Sequence, residues 1–542
     1  MEGAILKAQW IDYTIIVLYF SVTILVGFFL KKYIKTGEDF FLSGRSLPSW
    51  VTGLAFLAAN LGALEVMGMV ANSTKYGIHT VHFYWVGAIP AMLFIGLFMM
   101  PFYYGSRVRS VPEYLKYRYN EATRGLNAIS FSIMTVFMSG INMYAMALIF
   151  KMLLGWSLTS SIFIAAFVVL IYVFLGGLSS SIYNEVLQFF LIWLGLLPVV
   201  FLGLKEVNGL QGLIQRLPEE FTRAWAPLSH TSTNPMGIHW LGMVLGLGFV
   251  LSFGYWTTDF LVVQRALSAE NLNASKRTPV IASFPKMLMP ILVVIPGLIA
   301  IAVLPQFDLN SSGEKPYNMA LPLIMAKYLP NGVLGLGLIA LLASFMSGMA
   351  GNVTAFNTVW TYDIYEAYIK KGAPDSHYVK MGRFATFFGV MISIGTAYIV
   401  LGFPNLMDYM QLIFSFFNAP LFATFLLGMF WKGATPWGGF FGLLIGILTA
   451  ASHYILVKIN LISYPSEMAS NFWQAWWAWL MCFVLTILVS LFTPKKDPNE
   501  LKGLVMGLSS KEHSIEKKWY KKPATLGIIS FLFFIILNII FW

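Results

Sequence analysis

Fourteen stretches of about twenty predominantly apolar residues run through the chain, near 10–30, 49–71, 79–102, 125–150, 158–176, 183–204, 240–263, 278–304, 333–355, 380–401, 404–429, 436–455, 472–493 and 524–541. At about 1.5 Å of rise per residue, roughly twenty residues of helix cross a hydrocarbon layer about 30 Å thick. Inside that layer the backbone must satisfy its own hydrogen bonds, and for continuous apolar runs of this length the helix does so. The pattern predicts an all-α polytopic membrane protein with about 14 transmembrane helices. Composition agrees: 58% of residues are hydrophobic, 11% are charged and the mean hydropathy is +0.72, against about a quarter charged in globular chains. The first run is too long for a signal peptide. Only Lys7 precedes it, and it ends at Lys31-Lys32 instead of a small-residue cleavage site.

The net charge of +11 is explained by topology. With the N-terminus outside, the segments after odd-numbered runs hold 25 of the 35 Lys and Arg residues, the external segments hold 9, and Lys286 stands alone within a run. The positive-inside rule then places both termini on the extracytoplasmic side. No nucleic-acid partner is needed. Lys517, Lys518, Lys521 and Lys522 are suited to anionic membrane lipid. One cysteine, Cys482, excludes an internal disulfide framework, and the seven histidines show no metal-ligand spacing. No separate soluble domain fits between runs. The units are 1–48 (an extra span and first cytoplasmic loop), 49–204 (five spans), 205–239 (an external loop), 240–429 (five spans) and 430–542 (three accessory spans).

Polar residues inside the runs separate a passive scaffold from a channel, an enzyme or a carrier. Glu65 and Lys286 are ionisable groups in apolar surroundings, where a bare charge costs at least roughly 2.5–3.5 kcal/mol. Lys286 lies roughly 13 Å deep; its side chain either snorkels toward the interface or works within the membrane. Glu65 suits a buried hydroxyl or Lys286 itself as partner. The second run is interrupted at Ala58-Ala59-Asn60-Leu61-Gly62, and the seventh carries a parallel feature at Ser252-Phe253-Gly254-Tyr255-Trp256 followed by Thr257-Thr258-Asp259. Such breaks expose carbonyls to an ion or solute. Gly and Asn at these places also serve close helix packing. The two breaks lie five runs apart, an odd offset, so the segments are antiparallel, as an inverted repeat of five plus five helices requires. Ser344 and Ser347 are three apart on the ninth run and share a face. Aimed at the carbonyls of Ala58 and Leu61, they would complete an all-oxygen shell for a hard cation; small residues there equally allow tight packing. Gln411 is a neutral donor and acceptor suited to a hydroxylated ligand, or to interhelical bonding.

The strings FFLSGRSLPSW with FLAANLGALEVMG, SVPEYLKYRY, GGLSSSIYNEVLQ, YWTTDFLVVQRALSAENL, TYDIYEAYI, DYMQ and FLLGMFWKGATPWGGFFGLL resemble the sodium/solute symporter family, and within it the sodium/glucose (galactose) cotransporter branch. The resemblance extends from about residue 10 to the last run. It implies the leucine-transporter-type five-plus-five inverted-repeat fold, with one span before the ten-helix core and three after it. It also implies Na+ as co-transported ion, no organic cofactor, no enzyme activity and a small-molecule solute. By the same resemblance, Na+ is bound by carbonyls of Ala58, Leu61 and Ser344 and the hydroxyl of Ser347. The family's second hydroxyl falls at Gly348, where this chain has none. A further sodium site in some relatives needs an acid at Glu185 and hydroxyls at Ala350 and Gly351, so the missing hydroxyls favour one sodium. Asn60, Lys286 and Gln411 match pocket positions of sugar carriers. Glu65 replaces their Gln or His, and Tyr255 matches the aromatic gate beneath the sugar. The acid those carriers hold in the third run is absent; His82-Phe83-Tyr84-Trp85 stands there, with Tyr84 able to supply a hydroxyl. Ser252 completes the expected pocket.

The expectation is a sodium-coupled symporter that imports a monosaccharide or polyol by alternating access in a plasma membrane, of bacterial inner-membrane type given the short loops. Monocarboxylate, amino acid, sialic acid and vitamin are the alternative solutes. A sensor module is weighed against the lack of a kinase or receiver segment after residue 542. A channel is weighed against the lack of a selectivity signature.

Overall fold

The computed structural model describes residues 6–31, 36–403, 405–508, 516 and 518–542, with the backbone alone at 27, 30, 31, 37, 38 and 171–177. Lys32 and Lys517 lie outside the described residues, and of Lys31 only the backbone is described. The principal helices are α1 (Trp10–Lys31), α2 (Ser49–Asn60), α3 (Leu64–Val81), α4 (Phe83–Gly105), α5 (Val111–Arg118), α6 (Glu121–Leu154), α7 (Leu158–Glu206), α8 (Trp240–Thr258), α9 (Phe260–Leu267), α10 (Leu272–Val303), α11 (Ala320–Tyr328), α12 (Val333–Ile369), α13 (Asp375–Val400), α14 (Leu406–Phe430), α15 (Pro436–Lys458), α16 (Glu467–Phe492) and α17 (Pro523–Ile540). Among the described residues there is no sheet, only an isolated bridge between Leu47 and Ala269.

Among the described residues, eleven helices are long and apolar enough to cross a membrane, and the bent pair α2–α3 taken as one span makes a twelfth. The other two of the fourteen runs are the shorter apolar helices Trp10–Val26 and Leu158–Leu170. The fifth and sixth runs both fall in α7, as the apolar stretches Leu158–Leu170 and Leu178–Glu206.

Helix ends follow local chemistry. The Asn120 side chain accepts from Thr123 N at 2.9 Å at the start of α6, and Asn271 from Ala274 N at 2.9 Å at the start of α10. Each satisfies one of the donors that a helix N-terminus leaves open.

Burial distinguishes core from periphery. In the most apolar stretch of α12, 89% of residues are buried, against 28% in α15 and 11% in α17. Helix α12 packs on α1, α6 and α7, while α10 packs on α2 and α3. Small residues permit these approaches: a Cβ on Gly195 of α7 would lie 2.6 Å from the Ala340 Cβ of α12.

Two interruptions organise the centre. Helices α2 and α3 meet at 62° across Leu61-Gly62-Ala63. Leu61 adopts φ −75°, ψ 44°, outside the helical well, and Ala63 N donates to Asn142 Oδ1 at 2.7 Å. The second interruption is displaced from the expected one. Ser252 to Trp256 stay helical, as the end of a wide π-helical stretch and the start of an α-turn. The chain leaves the helix at Asp259, which is extended (φ −71°, ψ 117°). Local hydrogen bonds account for the shift: Thr257 and Thr258 hydroxyls donate to the carbonyls of Phe253 and Gly254, both at 2.6 Å, holding the last turn closed. The Asp259 carboxylate then caps Leu261 N at 2.9 Å and starts α9.

Candidate functional site

All seven residues expected at a solute pocket, Asn60, Glu65, Tyr84, Ser252, Tyr255, Lys286 and Gln411, line one cavity of about 50 Å³. That is room for a few water molecules, so a solute enters only when the surrounding helices part. The seven come from α2, α3, α4, α8, α10 and α14, so the cavity lies among helices far apart in sequence. Three of them sit on π-helical turns: Glu65 on Leu64–Gly68, Tyr84 on Phe83–Ala88 and Ser252 on Met243–Ser252. The extra residue in a π-turn re-aims the side chain it carries, a device common at functional sites. Glycine brings two of these turns together, since a Cβ on Gly87 of α4 would overlap Ser252 Oγ.

Lys286 does not snorkel. Its side chain is 3% exposed, and Nζ donates to Glu65 Oε1 at 2.6 Å and to Asn60 Oδ1 at 2.5 Å. The same ammonium faces the rings of Tyr84 and Trp256, 4.9 and 5.1 Å from their centroids. A buried charge persists only when paired and hydrogen-bonded, and this one is both. The pair leaves the cavity with no net charge, since its other lining residues are neutral.

The lysine also begins a chain of contacts. Asn60 Nδ2 donates to the Tyr255 hydroxyl at 3.0 Å, and the Tyr255 ring stacks on Phe414 with centroids 5.0 Å apart. Gln411, three residues before Phe414 on α14, has a buried Oε1 without a hydrogen-bond partner among the described residues. An orphaned acceptor in a cavity wall is stabilised by a donor from whatever enters. The apolar remainder of the wall, including Met69, Trp256 and Met410, was not anticipated from sequence. Apolar residues within apolar runs carry no distinguishing signal.

Beside the α2–α3 break, Ser347 Oγ donates to the Ala58 carbonyl at 2.8 Å. Ser344 Oγ, one turn earlier on α12, is buried with no partner among the described residues. A carbonyl, a hydroxyl bonded to it and an unpartnered hydroxyl one turn away are oxygens of the kind a hard cation prefers. Gly348 packs directly on the break: a Cβ there would lie 2.7 Å from Gly62 Cα and 2.5 Å from Asn142 Oδ1. Glu185 is engaged elsewhere. It accepts from Ser181 at 2.7 Å and pairs with the fully buried Arg265 guanidinium. A Cβ on Gly351 would lie 3.5 Å from Arg265 Nη2, so the Arg265 guanidinium stands beside a position where a second sodium site would need a hydroxyl.

Sequence reasoning gave no role to a second ion pair. Lys75 Nζ, near the far end of α3, meets Asp408 Oδ2 of α14 at 2.7 Å, and the Tyr76 hydroxyl donates to Asp408 Oδ1 at 3.2 Å. Asp408 lies within the quoted DYMQ string, but nothing in the string names Lys75 as its partner.

A profile of the sodium:solute symporter family matches residues 40–446, most of the chain and every helix that lines the cavity. A sodium/glucose cotransporter of Vibrio parahaemolyticus is 26% identical over 483 residues, covering 84% of this chain and 87% of that protein. Sodium/glucose cotransporter 1 of Ovis aries is 29% identical over 548 residues, covering 93% and 82%. Among solved structures, a substrate-bound, outward-open Na+-coupled sialic acid symporter superposes with a TM-score of 0.75 at 19% identity over 90% of this chain and 99% of that one, a likeness of fold. With its profile match spanning the break, both serines and the cavity, the chain belongs to the sodium:solute symporter family.

Proposed function

We propose that this protein is a sodium-coupled symporter that imports a neutral, hydroxylated small solute, a monosaccharide or polyol, by alternating access. One observation carries the reading: Glu65 and Lys286 neutralise each other in a cavity whose remaining polar groups include the unpartnered Gln411 acceptor. Such a wall favours a ligand rich in hydroxyls, which both donate and accept. The relatives in Vibrio parahaemolyticus and Ovis aries are named as sodium/glucose cotransporters, which supports the sugar class. The alternative solutes with a carboxylate meet a pocket whose one ammonium is already charge-paired with Glu65, with one N–H left for a hydroxyl.

In this reading Na+ enters from outside and binds the Ala58, Leu61, Ser344 and Ser347 oxygens, holding α2 against α12 and ordering the pocket from below. Its binding energy favours the solute-competent state, because a ligand shifts an equilibrium by its differential affinity. Lys75 and Asp408 close the external side. The Asn60–Tyr255 contact and the Phe414 stack close the internal side until Na+ leaves. One Na+ moving down about 100 mV releases about 2.3 kcal/mol, and a tenfold gradient about 1.4, together sufficient for a few-hundred-fold accumulation. The proposal includes the fourteen-span, five-plus-five arrangement with the domain limits given above, both termini extracytoplasmic, a bacterial inner-membrane setting, and contact of Lys518, Lys521 and Lys522 with anionic lipid. Uptake of a labelled panel of sugars and polyols into proteoliposomes, with and without an inward Na+ gradient, tests the reading. Gradient-dependent uptake of at least one supports it; absent or sodium-independent uptake of all of them overturns it.

A further inference from the structure

We infer that Asn142, on α6, supplies to the co-transported cation the oxygen that no side chain at Gly348 can supply; this rests on the sodium site proposed above. Gly348 follows Ser347 directly, and Gly62 follows Leu61. The two arms of the cation site thus end on two glycines whose backbones meet. A Cβ on Gly348 would lie 2.7 Å from Gly62 Cα, and one on Gly62 would lie 3.1 Å from Gly348 Cα. A hydroxyl-bearing side chain at 348 is therefore excluded by backbone, not by a movable neighbour.

The space is filled from a third helix. Asn142 Oδ1 lies 2.5 Å from the Cβ position of Gly348 and 2.6 Å from that of Gly62, and the residue is 3% exposed. Its orientation is fixed by chemistry: the atom that accepts from Ala63 N at 2.7 Å must be the amide oxygen, and Nδ2 donates to the Met138 carbonyl at 3.0 Å. One N–H uses one of the two lone pairs on that oxygen, leaving the other open beside Gly62 and Gly348. Side-chain amide oxygens belong to the ligand set of hard cations. The glycines and the asparagine thus form one interdependent arrangement. Without a Cβ at 62 and 348 the amide can enter, and with the amide in place the loss of a hydroxyl at 348 leaves no gap.

Asn142 also satisfies the N–H of Ala63, directly before α3, and a capping role alone predicts different behaviour. The test uses the purified full-length chain and reads thermal stabilisation as NaCl is titrated against choline chloride, for wild type, Asn142→Ala, Asn142→Asp and Ser347→Ala. Asn142→Ala is expected to raise the Na+ midpoint at least tenfold. Asn142→Asp, which keeps the capping oxygen and adds charge, is expected to lower it several-fold. A residue that only caps would lower the sodium-free melting temperature in Asn142→Ala and leave both midpoints at the wild-type value, and that result overturns the inference. Should Asn142→Ala not fold, the Asn142→Asp midpoint alone decides in the same way. An unchanged midpoint in Ser347→Ala as well would remove the sodium site itself, which separates failure of the site from failure of Asn142 as its ligand.

Discussion

Removing one member of the Glu65–Lys286 pair is a different perturbation from removing both. The two side chains are 5% and 3% exposed and 2.6 Å apart. Losing one partner of such a buried pair costs about 3–5 kcal/mol, because the other charge stays buried without compensation, whereas replacing both with neutral groups of similar size is close to neutral. Lys286→Met and Glu65→Gln should therefore each lower the thermal midpoint of the purified protein, and the double variant should recover most of that loss. Uptake should not recover with it. The ammonium's charge-assisted hydrogen bonds, worth about 1.5–3 kcal/mol each, are gone in the double variant, which corresponds to roughly tenfold to hundredfold weaker solute binding per contact. Melting curves give one axis of this double-mutant cycle and the concentration dependence of solute uptake gives the other. If the double variant is no more stable than the worse single variant, the pair is not the buried unit described. If it transports like wild type, Lys286 is a structural counter-ion and does not touch solute.

Ser347→Ala deletes the hydroxyl bonded to the Ala58 carbonyl and should weaken apparent Na+ affinity by about tenfold, the scale of one charge-assisted contact, with the solute Km at saturating Na+ nearly unchanged. Gln411→Ala should abolish uptake while the protein elutes and melts like wild type, because its buried Oε1 has no hydrogen bond among the described residues to lose. Lys75→Ala should populate the outward-open state, seen as faster thiol labelling of a cysteine placed at Met69; the native Cys482 is buried, so background labelling is low. Unchanged labelling would show that the Lys75–Asp408 pair does not hold the external side closed.

The pocket was legible in the sequence to the extent that it is polar. Asn60, Glu65, Lys286 and Gln411 stand out because each is expensive in an apolar run, and the resemblance added Tyr84, Ser252 and Tyr255; the fold brings all seven to one cavity. Pairings were less legible. Glu65 was open to a hydroxyl or to Lys286, and Lys75 read only as an external positive charge, because a tertiary contact across more than three hundred residues leaves no local trace. The second helix break was placed too early. Glycine and aromatic residues at 252–256 suggest unwinding, but the hydroxyls of Thr257 and Thr258 return to carbonyls one turn back and delay it to Asp259. Asn142 was missed for a related reason: one amide in a long helix does not stand out until two glycines on other helices show what it fills.

The central claim is that a sodium gradient drives a neutral hydroxylated solute uphill through the Glu65–Lys286 cavity. Its most direct test is the steady-state accumulation ratio of a transported sugar in proteoliposomes with an inward Na+ gradient and an inside-negative potential. The account predicts internal concentrations well above external ones, abolished when K+ replaces Na+ or when gramicidin collapses the gradient. Equilibration to equal concentrations on both sides, with the Na+ gradient intact, would contradict it.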